Sequence, residues 1–342
     1  MIDTIKIYTM ISKDIYYTIK ENSIVKTSYQ TKTGEVFYNI VNDKLEGSYS
    51  SSLSVRVGEG GKYKFINQYY LEIEGSFHKI IRGYNTHNGF YNLVSITRTL
   101  IDMLEKHYNV KLPTFEHWFL QRVDITKVFD LENNDNVRDY INNLSFCRYP
   151  RRKIKHYNDE SIYMSGTTTT LKIYNKMLEF RKHDMKKLNE NGFPVLKFLP
   201  VIQGFIRFEC EIKKKKLEQE YKKKYIRVKE INYRELEKIW RDEFMKMIRL
   251  FEKDMEVVRK KQDVERRLKT LYKETQANLL YNFYLAVMVD GLENIKNRTS
   301  KSTYYRNIKL LKDANIDFSQ STNINFDEHF IDFDPFSYPE VI

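Results

Sequence analysis

The sequence is poor in the residues on which several protein classes depend. Only two cysteines, Cys147 and Cys210, occur among its 342 residues. They are too few for a disulfide framework, their spacing excludes a zinc-cluster motif, and a reducing cytoplasm is the expected compartment. No run of about 18 apolar residues is present, so the sequence predicts no membrane span. The N-terminus lacks a basic region followed by an apolar segment, which argues against a secretory signal.

Several catalytic motifs are also missing. The sequence contains no P-loop, no Gly-x-Gly-x-x-Gly motif and no Ser-His-Asp spacing to single out. The glycine-rich stretch 57–64 has the context of a hairpin, so we interpret it as a turn.

Positive charge is plentiful. The chain has 58 Lys and Arg against 46 Asp and Glu, a formal net charge of +12 and a pI near 9.2. This surplus indicates a polyanionic partner, either nucleic acid or an anionic membrane surface. Hydrophobic residues make up 41% of the chain, which is typical of a folded protein with a sizeable core. The chain length predicts one large domain and a smaller one.

The first two hundred residues predict a sheet. Apolar and polar residues alternate in six stretches, which is typical of half-buried antiparallel strands: 2–11, 52–59, 69–77, 120–126, 170–174 and 205–213. Helical spacing appears between 91 and 108, and a second helix is expected from about 136 to 144. We therefore predict an α+β fold, with an antiparallel sheet as its core, flanking helices and a helical C-terminal region.

After residue 213 the chain becomes dense in charge. Apolar residues between 236 and 255 predict an amphipathic helix. The run 213–225 is strongly basic and begins with Lys213, Lys214, Lys215 and Lys216. It is compatible with a solvated helix face and with a phosphate-contacting surface. A membrane surface is a weaker interpretation, because the run has no bulky apolar anchors on its opposite face.

A second helical block covers residues 277–317. The stretch 278–295 is apolar enough for a buried helix, and a short amphipathic helix follows a Ser/Thr cap near residue 300. Two helices joined by a short turn suit a helix-turn-helix DNA reader, in which Tyr304, Tyr305 and Arg306 would contact DNA. An ordinary helical hairpin that closes the core is equally compatible. The tail 319–342 is acidic.

The polar residues that alternate with the apolar ones along these strands form an unusual group. If the strands share one sheet, a single face carries carboxylates, cations and a tyrosine: Glu72, Glu74, Arg122, Asp124, Lys172, Tyr174, Arg207, Glu209 and Glu211. Carboxylates that lie close together need a cation, and hard oxygen ligands suit Mg²⁺ or Mn²⁺. Cross-strand salt bridges on a wetted sheet face explain the same pattern. Both interpretations remain open from composition.

Tyr174 ends one of these alternating strands and precedes Lys176 by two positions. A free tyrosine has a pKa near ~10 and attacks poorly at neutral pH. A nearby cation would stabilise the phenolate or the developing pentacoordinate phosphate. Together with a metal that polarises the scissile phosphate, this set is suited to forming a 5′-phosphotyrosyl link to DNA.

An ordered set of motifs resembles the rolling-circle replication initiators of filamentous phages and plasmids. The first strand "MIDTIKIY" is similar, as is a segment at 71–93 with a strand Glu, a Gly and an Asn-containing turn. An Arg-hydrophobic-Asp strand lies at 121–131, a Tyr-x-Lys segment at 170–183 and an Arg-Phe-Glu strand at 204–217. The resemblance covers about residues 1–217.

The resemblance implies a site-specific, metal-dependent DNA endonuclease and strand transferase of a bacterial host's cytoplasm. Tyr174 would be the nucleophile, Lys176 its phosphate partner, and Arg207 and Glu209 supporting residues. Glu72 and Asp124 would hold Mg²⁺ or Mn²⁺. The seven histidines include no His-hydrophobic-His pair, which many rolling-circle nucleases use for the metal. His78 is then a possible further ligand, although a surface or loop position is the simpler interpretation.

The implied organisation has three parts. Residues 1–217 form the nicking domain, 218–318 a helical DNA-binding or accessory region, and 319–342 the tail. The expected partner is origin DNA, single-stranded at the nick, with a host helicase and a second copy of the chain as further candidates. The alternative function is a non-catalytic, sequence-specific DNA-binding protein.

Overall fold

The computed structural model describes residues 1–59, 69–86, 89–144, 149–254, 261–314 and 316. The predicted tail at 319–342 lies outside these residues, as does part of the predicted turn at 57–64. Within the described chain, ten antiparallel strands form one sheet, and helices flank it. The predicted α+β fold is confirmed.

The strands alternate in chain order with helices and turns. They are β1 (Ile2–Ile11), β2 (Ile24–Tyr29), β3 (Val36–Glu46), β4 (Ser52–Glu59), β5 (Tyr69–Ser76), β6 (Phe119–Asp130), β7 (Lys153–Tyr157), β8 (Ser161–Ser165), β9 (Thr169–Asn175) and β10 (Phe205–Lys213). Their order across the sheet is β2-β3-β4-β5-β1-β6-β10-β9-β8-β7. The first strand therefore lies inside the sheet, between β5 and β6.

Thirteen α-helices occur in the described residues. They are α1 (Lys13–Glu21), α2 (Phe77–Arg82), α3 (Leu93–Tyr108), α4 (Asn134–Leu144), α5 (Lys176–His183), α6 (Met185–Glu190), α7 (Val195–Phe198), α8 (Lys214–Tyr221), α9 (Tyr233–Asp254), α10 (Lys261–Leu271), α11 (Glu274–Asp290), α12 (Leu292–Arg298) and α13 (Lys301–Asp313).

The six predicted strands are all confirmed, and the four that the sequence did not predict lie at the two ends of the sheet. β2 is almost wholly exposed, and β7 has a similar pattern. β2 and β7 are exposed on both faces and have no buried set of residues, so these two strands lack the alternation that identifies a half-buried strand.

One face of the sheet carries the main hydrophobic core. Apolar residues of the central strands, among them Ile5, Val123 and Phe208, pack there with α3, α4 and α9. Trp240 of α9 donates its indole N–H to the Phe208 carbonyl at 3.2 Å. This core includes α9 residues as far as Met247, so the chain after residue 217 continues to cover the sheet.

Part of the opposite face is covered as well. Phe180 of α5 and Phe198 of α7 pack with Val128 and Phe205 of the sheet in a second apolar cluster. Val128 lies opposite Arg207, and Arg207 lies opposite Tyr174. The small helices α5 to α7 therefore close one end of the polar face and leave the other end more open.

The C-terminal helices α10 to α13 form a separate apolar cluster. The apolar stretch 278–295 was predicted as one buried helix, and this is wrong in two respects. Gly291, at φ 80°, separates α11 from α12, and Leu279 and Val289 are exposed. Ser300 caps α13 as predicted, by accepting a hydrogen bond from the Thr303 amide. No helix in the described part of the chain is long and apolar enough to cross a membrane.

Candidate active site

The register of three neighbouring strands brings the polar residues together. Across β10 and β9, Arg207 pairs with Tyr174 and Glu209 with Lys172. Across β10 and β6, Glu211 pairs with Asp124. Because side chains alternate along each strand, these residues share one face of the sheet.

Tyr174 lies at the centre of this group. Its hydroxyl donates a hydrogen bond to Glu209 Oε2 at 3.0 Å, and 9% of the residue is exposed. Burial raises the pKa of the phenol well above its usual value, and the Arg207 cation opposes that shift. The guanidinium carbon of Arg207 lies 6.0 Å from the centre of the Tyr174 ring. The hydroxyl is therefore protonated in the resting site and is oriented by a carboxylate.

Glu209 is held by a lysine on the neighbouring strand. Lys172 Nζ lies 2.7 Å from Glu209 Oε1, 3.6 Å from Glu211 Oε2 and 3.9 Å from Asp124 Oδ2. Burial acts to raise the pKa of Glu209, but Lys172 and Arg207 outweigh it and lower the pKa. Glu209 is thus an ionised acceptor for the Tyr174 proton, and Lys172 is the cation shared by three carboxylates.

Arg207 is fully buried and has its own partner. Its Nη2 lies 2.8 Å from Asp3 Oδ2, and its Nη1 donates to the Asn85 backbone carbonyl. Asp3 also accepts hydrogen bonds from Ser76 Oγ at 2.7 Å and from Asn85 Nδ2 at 3.0 Å. Sequence reasoning missed Asp3 and Asn85; the only signal was the asparagine in the turn before α3.

Lys176 is also fully buried, at the start of α5. Its Nζ donates to Asn85 Oδ1 at 2.8 Å and to Glu179. Burial lowers the pKa of Lys176. Burial acts to raise the pKa of Glu179, but Lys176 and Lys79 outweigh it and lower the pKa to about 2. In this structure the Lys176 ammonium is bound by protein groups and lies beneath the surface that a phosphate would approach.

Glu72 and Asp124 lie on the same face but are not brought together. Strand β1 separates β5 from β6. Lys6 Nζ lies 3.2 Å from Glu72 Oε1, whereas Asp124 accepts two hydrogen bonds from Arg122, at 2.8 Å to Oδ1 and 2.6 Å to Oδ2. No group of three His, Cys, Asp or Glu among the described residues could hold a metal ion. The two predicted ligands therefore do not fit a shared metal: each is held by its own basic side chain, and burial raises the pKa of Asp124 in spite of Arg122.

His78 is not the surface or loop residue that the sequence suggested. It is buried within α2, with 1% of its surface exposed. Burial lowers its pKa to about 3, so the ring is neutral at physiological pH. The interpretation as a surface or loop histidine was wrong because α2 packs this side chain into the protein.

The lysine cluster at the end of β10 is partly neutralised by its own helix. Lys213 Nζ donates to the Gly166 carbonyl at 2.7 Å. Lys214 and Lys216 form i,i+4 pairs with Glu218 and Glu220 along α8, whereas Lys215 is exposed; the N–O distances of the two pairs are 3.7 and 2.6 Å.

The three residues of α13 that were predicted to contact DNA differ in their burial. Tyr304 is 7% exposed and belongs to the apolar cluster of the C-terminal helices. Tyr305 is 56% exposed, and Arg306 is exposed as well. Only the latter two side chains face solvent, where DNA would lie.

An open cleft of about 330 Å³ reaches Tyr174. Its walls include Tyr157 and Tyr163 of the β7–β8 hairpin and Lys182 of α5. Tyr174 is therefore accessible from one side in spite of its low exposure. The arrangement therefore combines a cleft-lining tyrosine, whose hydroxyl is bound to an ionised carboxylate, with a basic protein.

Comparison with known proteins agrees with the resemblance in the sequence. The phage CRI family, described as the N-terminal part of a replication-associated protein, matches residues 1–236. That range covers the whole sheet and the helices that surround the Tyr174 site. Among curated proteins, none shows significant sequence similarity to the chain. The chain belongs to this phage family of replication-associated proteins, and its role is that of a replication initiator.

Proposed function

We propose that this initiator nicks DNA by transesterification, with Tyr174 as the nucleophile. The buried hydrogen bond from the hydroxyl of Tyr174, a residue that lines the cleft, to Glu209 carries this proposal. A tyrosine that served packing alone would not require a buried, ionised carboxylate beside its hydroxyl, because burying that charge costs free energy. A nucleophile requires such a group, because its proton must leave as it attacks.

In the proposed step, Tyr174 Oη attacks the phosphorus of a phosphodiester in the cleft. The new O–P bond forms as the bond to the 3′ oxygen breaks. The phenol proton moves to Glu209, and the departing 3′ oxygen takes a proton from solvent. The products are a 5′-phosphotyrosyl link and a free 3′ hydroxyl. Attack by that hydroxyl on the link reverses the step and rejoins the strand.

The cations around Tyr174 support the charge changes of this step. Arg207 opposes the rise in the pKa of the phenol, and its position is set by Asp3. Lys172 holds Glu209 from the side opposite to Tyr174. Fixed charges of this kind stabilise developing charge without reorganisation during the reaction. Lys176 contributes through Asn85 and Glu179, so we assign it a positioning role.

The proposal includes dependence on Mg²⁺ or Mn²⁺, as the sequence resemblance implies. Because Glu72 and Asp124 are each paired with basic side chains, we derive no step through a metal and assign neither as a ligand.

The test uses supercoiled DNA of the replicon that encodes the chain, with Mg²⁺ or Mn²⁺. After denaturation, the products are examined for relaxed DNA and for DNA covalently attached to protein. The proposal requires both the relaxed DNA and the covalent protein–DNA adduct. Specific binding to the same DNA with no nick and no adduct would support the alternative function, a sequence-specific DNA-binding protein.

A further inference from the structure

The hairpin β7–β8 lies at the end of the sheet nearest to Tyr174. Ser161 of β8 pairs with Tyr174, and Tyr163 pairs with Lys172. Tyr157 of β7 pairs in turn with Ser161, and Lys155 pairs with Tyr163. Side chains that are directly cross-paired point to the same face. The hairpin therefore extends the Tyr174 face by two strands, or by about 10 Å at the usual strand spacing.

Two aromatic rings stand on this extension. The rings of Tyr157 and Tyr163 have their centres 5.2 Å apart at an interplanar angle of 65°. Tyr157 is 46% exposed, and both rings line the cleft that reaches Tyr174. Neither belongs to the hydrophobic clusters of the described chain. Their apolar surface is thus presented to the cleft and contributes little to the core.

Positive charge accompanies the rings. Lys153 and Lys155 of β7 are exposed and share the face of Tyr157 by alternation. Lys182 borders the cleft from the α5 side, where its Nζ contacts Glu160. Aromatic rings for bases combined with cations for the backbone are the usual means of binding single-stranded nucleic acid.

We propose that Tyr157 and Tyr163 form a stacking site for an unpaired nucleobase next to the scissile phosphate. The ligand is single-stranded DNA, and the proposal rests on the proposed nicking function of Tyr174. The cleft volume of about 330 Å³ is that of a small ligand site. A base held between the hairpin and Tyr174 fixes the neighbouring phosphate in front of the hydroxyl. Stacking is tolerant of sequence, so this site selects unpaired over paired strands and leaves base identity to other elements.

Binding is measured in a Tyr174→Phe background, so that cleavage does not interfere. The probe is a short oligothymidylate that carries one 2-aminopurine, whose fluorescence falls on stacking. Tyr157→Ala and Tyr163→Ala should each weaken binding by about 5- to 150-fold and abolish the quench. Tyr163→Phe keeps the ring and should therefore retain both the affinity and the fluorescence quench. Tyr29→Ala is the matched control, because Tyr29 is also an exposed strand tyrosine, at the far end of the sheet, and is 57% exposed.

Wild-type affinity and quench in both alanine variants would overturn the stacking site, as would an equal loss in Tyr29→Ala. Circular dichroism on each variant identifies losses of binding that are due to misfolding. Where an alanine variant is misfolded, the affinity and quench of Tyr163→Phe decide whether the aromatic ring is what binds the base. If wild-type protein forms a covalent adduct and the alanine variants bind as tightly as before, the stacking site is contradicted and the nicking function is not. Loss of single-strand binding in those variants, without any adduct from wild-type protein, contradicts the nicking function and leaves the stacking site in place.

Discussion

Tyr174 and Glu209 are 35 positions apart in the chain, yet the hydroxyl of one donates to the carboxylate of the other at 3.0 Å. The contact crosses from β9 to β10, where Tyr174 pairs directly with Arg207 and Glu209 with Lys172. It joins a group with a raised pKa to a group with a lowered pKa. The proton therefore resides on tyrosine at rest, where it is shared in a hydrogen bond with the ionised Glu209 carboxylate.

The first prediction concerns Glu209→Gln. The amide cannot accept the phenol proton, so single-turnover nicking should fall about 10²- to 10⁴-fold while DNA affinity is retained. Glu74→Gln is the matched control, because Glu74 lies in the same network but binds Lys6 and Arg122. Equal rates in the two variants would remove Glu209 from the proton-transfer role.

The second prediction concerns the buried pair of Asp3 and Arg207. Asp3→Asn removes the nearest counter-charge of a fully buried guanidinium and leaves, among the described residues, only Glu209, 4.0 Å from Arg207 Nε, as an ion-pair partner; this should lower the free energy of unfolding by about 3–5 kcal/mol. Urea denaturation measures the change. The exposed Asp14→Asn is the control. Adding Arg207→Met to Asp3→Asn should recover part of the loss, since the uncompensated charge is then gone; no recovery would show that Asp3 acts by another route.

The third prediction concerns pH. The pKa of Glu179 is lowered from 4.5 to about 2, because Lys176 and Lys79 outweigh the burial that would raise it. A lowered carboxyl pKa stabilises the fold above pH 4.5, and that stabilisation is lost as the pH falls towards 2. Urea denaturation over this range should show a steeper loss of unfolding free energy for wild type than for Glu179→Gln. Glu190→Gln, at an exposed position, should follow wild type; parallel curves for wild type and Glu179→Gln would refute the assignment.

Alternation along the strands predicted the face on which each polar residue lies, but not its neighbours. Glu72 and Asp124 were expected to lie close together, because both are polar residues of alternating strands. The sheet order places β1 between their strands, and different cations hold them. A periodicity of two determines the side of a strand, whereas distances depend on strand order and register.

Contacts made by chain segments outside the alternating strands were beyond prediction. Asn85 reaches Asp3, 82 positions away, from a segment between α2 and α3, and it also accepts from Lys176. The burial of Lys176 likewise depends on helices α5 to α7, which cover one end of the polar face. A local pattern carries no information about such coverage, so Lys176 looked accessible from sequence.

The fourth prediction separates the residues of α13. Tyr305→Ala and Arg306→Ala should weaken binding to the origin more than binding to random DNA, if this helix reads bases. Arg306→Ala should also reduce the log-log salt slope by about one if it contacts a phosphate. Tyr304→Ala should instead lower the melting temperature, because Tyr304 is buried in the apolar cluster. Equal losses on origin and random DNA would make α13 a phosphate clamp.

The central claim is that Tyr174 forms the covalent link, and Tyr174→Phe removes only its hydroxyl. Cleavage and the adduct should disappear, while folding and origin binding stay close to wild type. Tyr163→Phe and Tyr157→Phe are the controls, because both rings line the same cleft, and each should retain the adduct.

The most direct measurement is peptide mapping of the adduct trapped on wild-type protein. Trypsin cleaves after Lys155, Lys172 and Lys176, so Tyr157 and Tyr163 fall on the peptide 156–172 and Tyr174 falls on 173–176. After nuclease digestion, mass spectrometry should find the residual nucleotide on peptide 173–176. A nucleotide on peptide 156–172, or on a tyrosine elsewhere in the chain, would contradict the assignment of Tyr174 as the nucleophile.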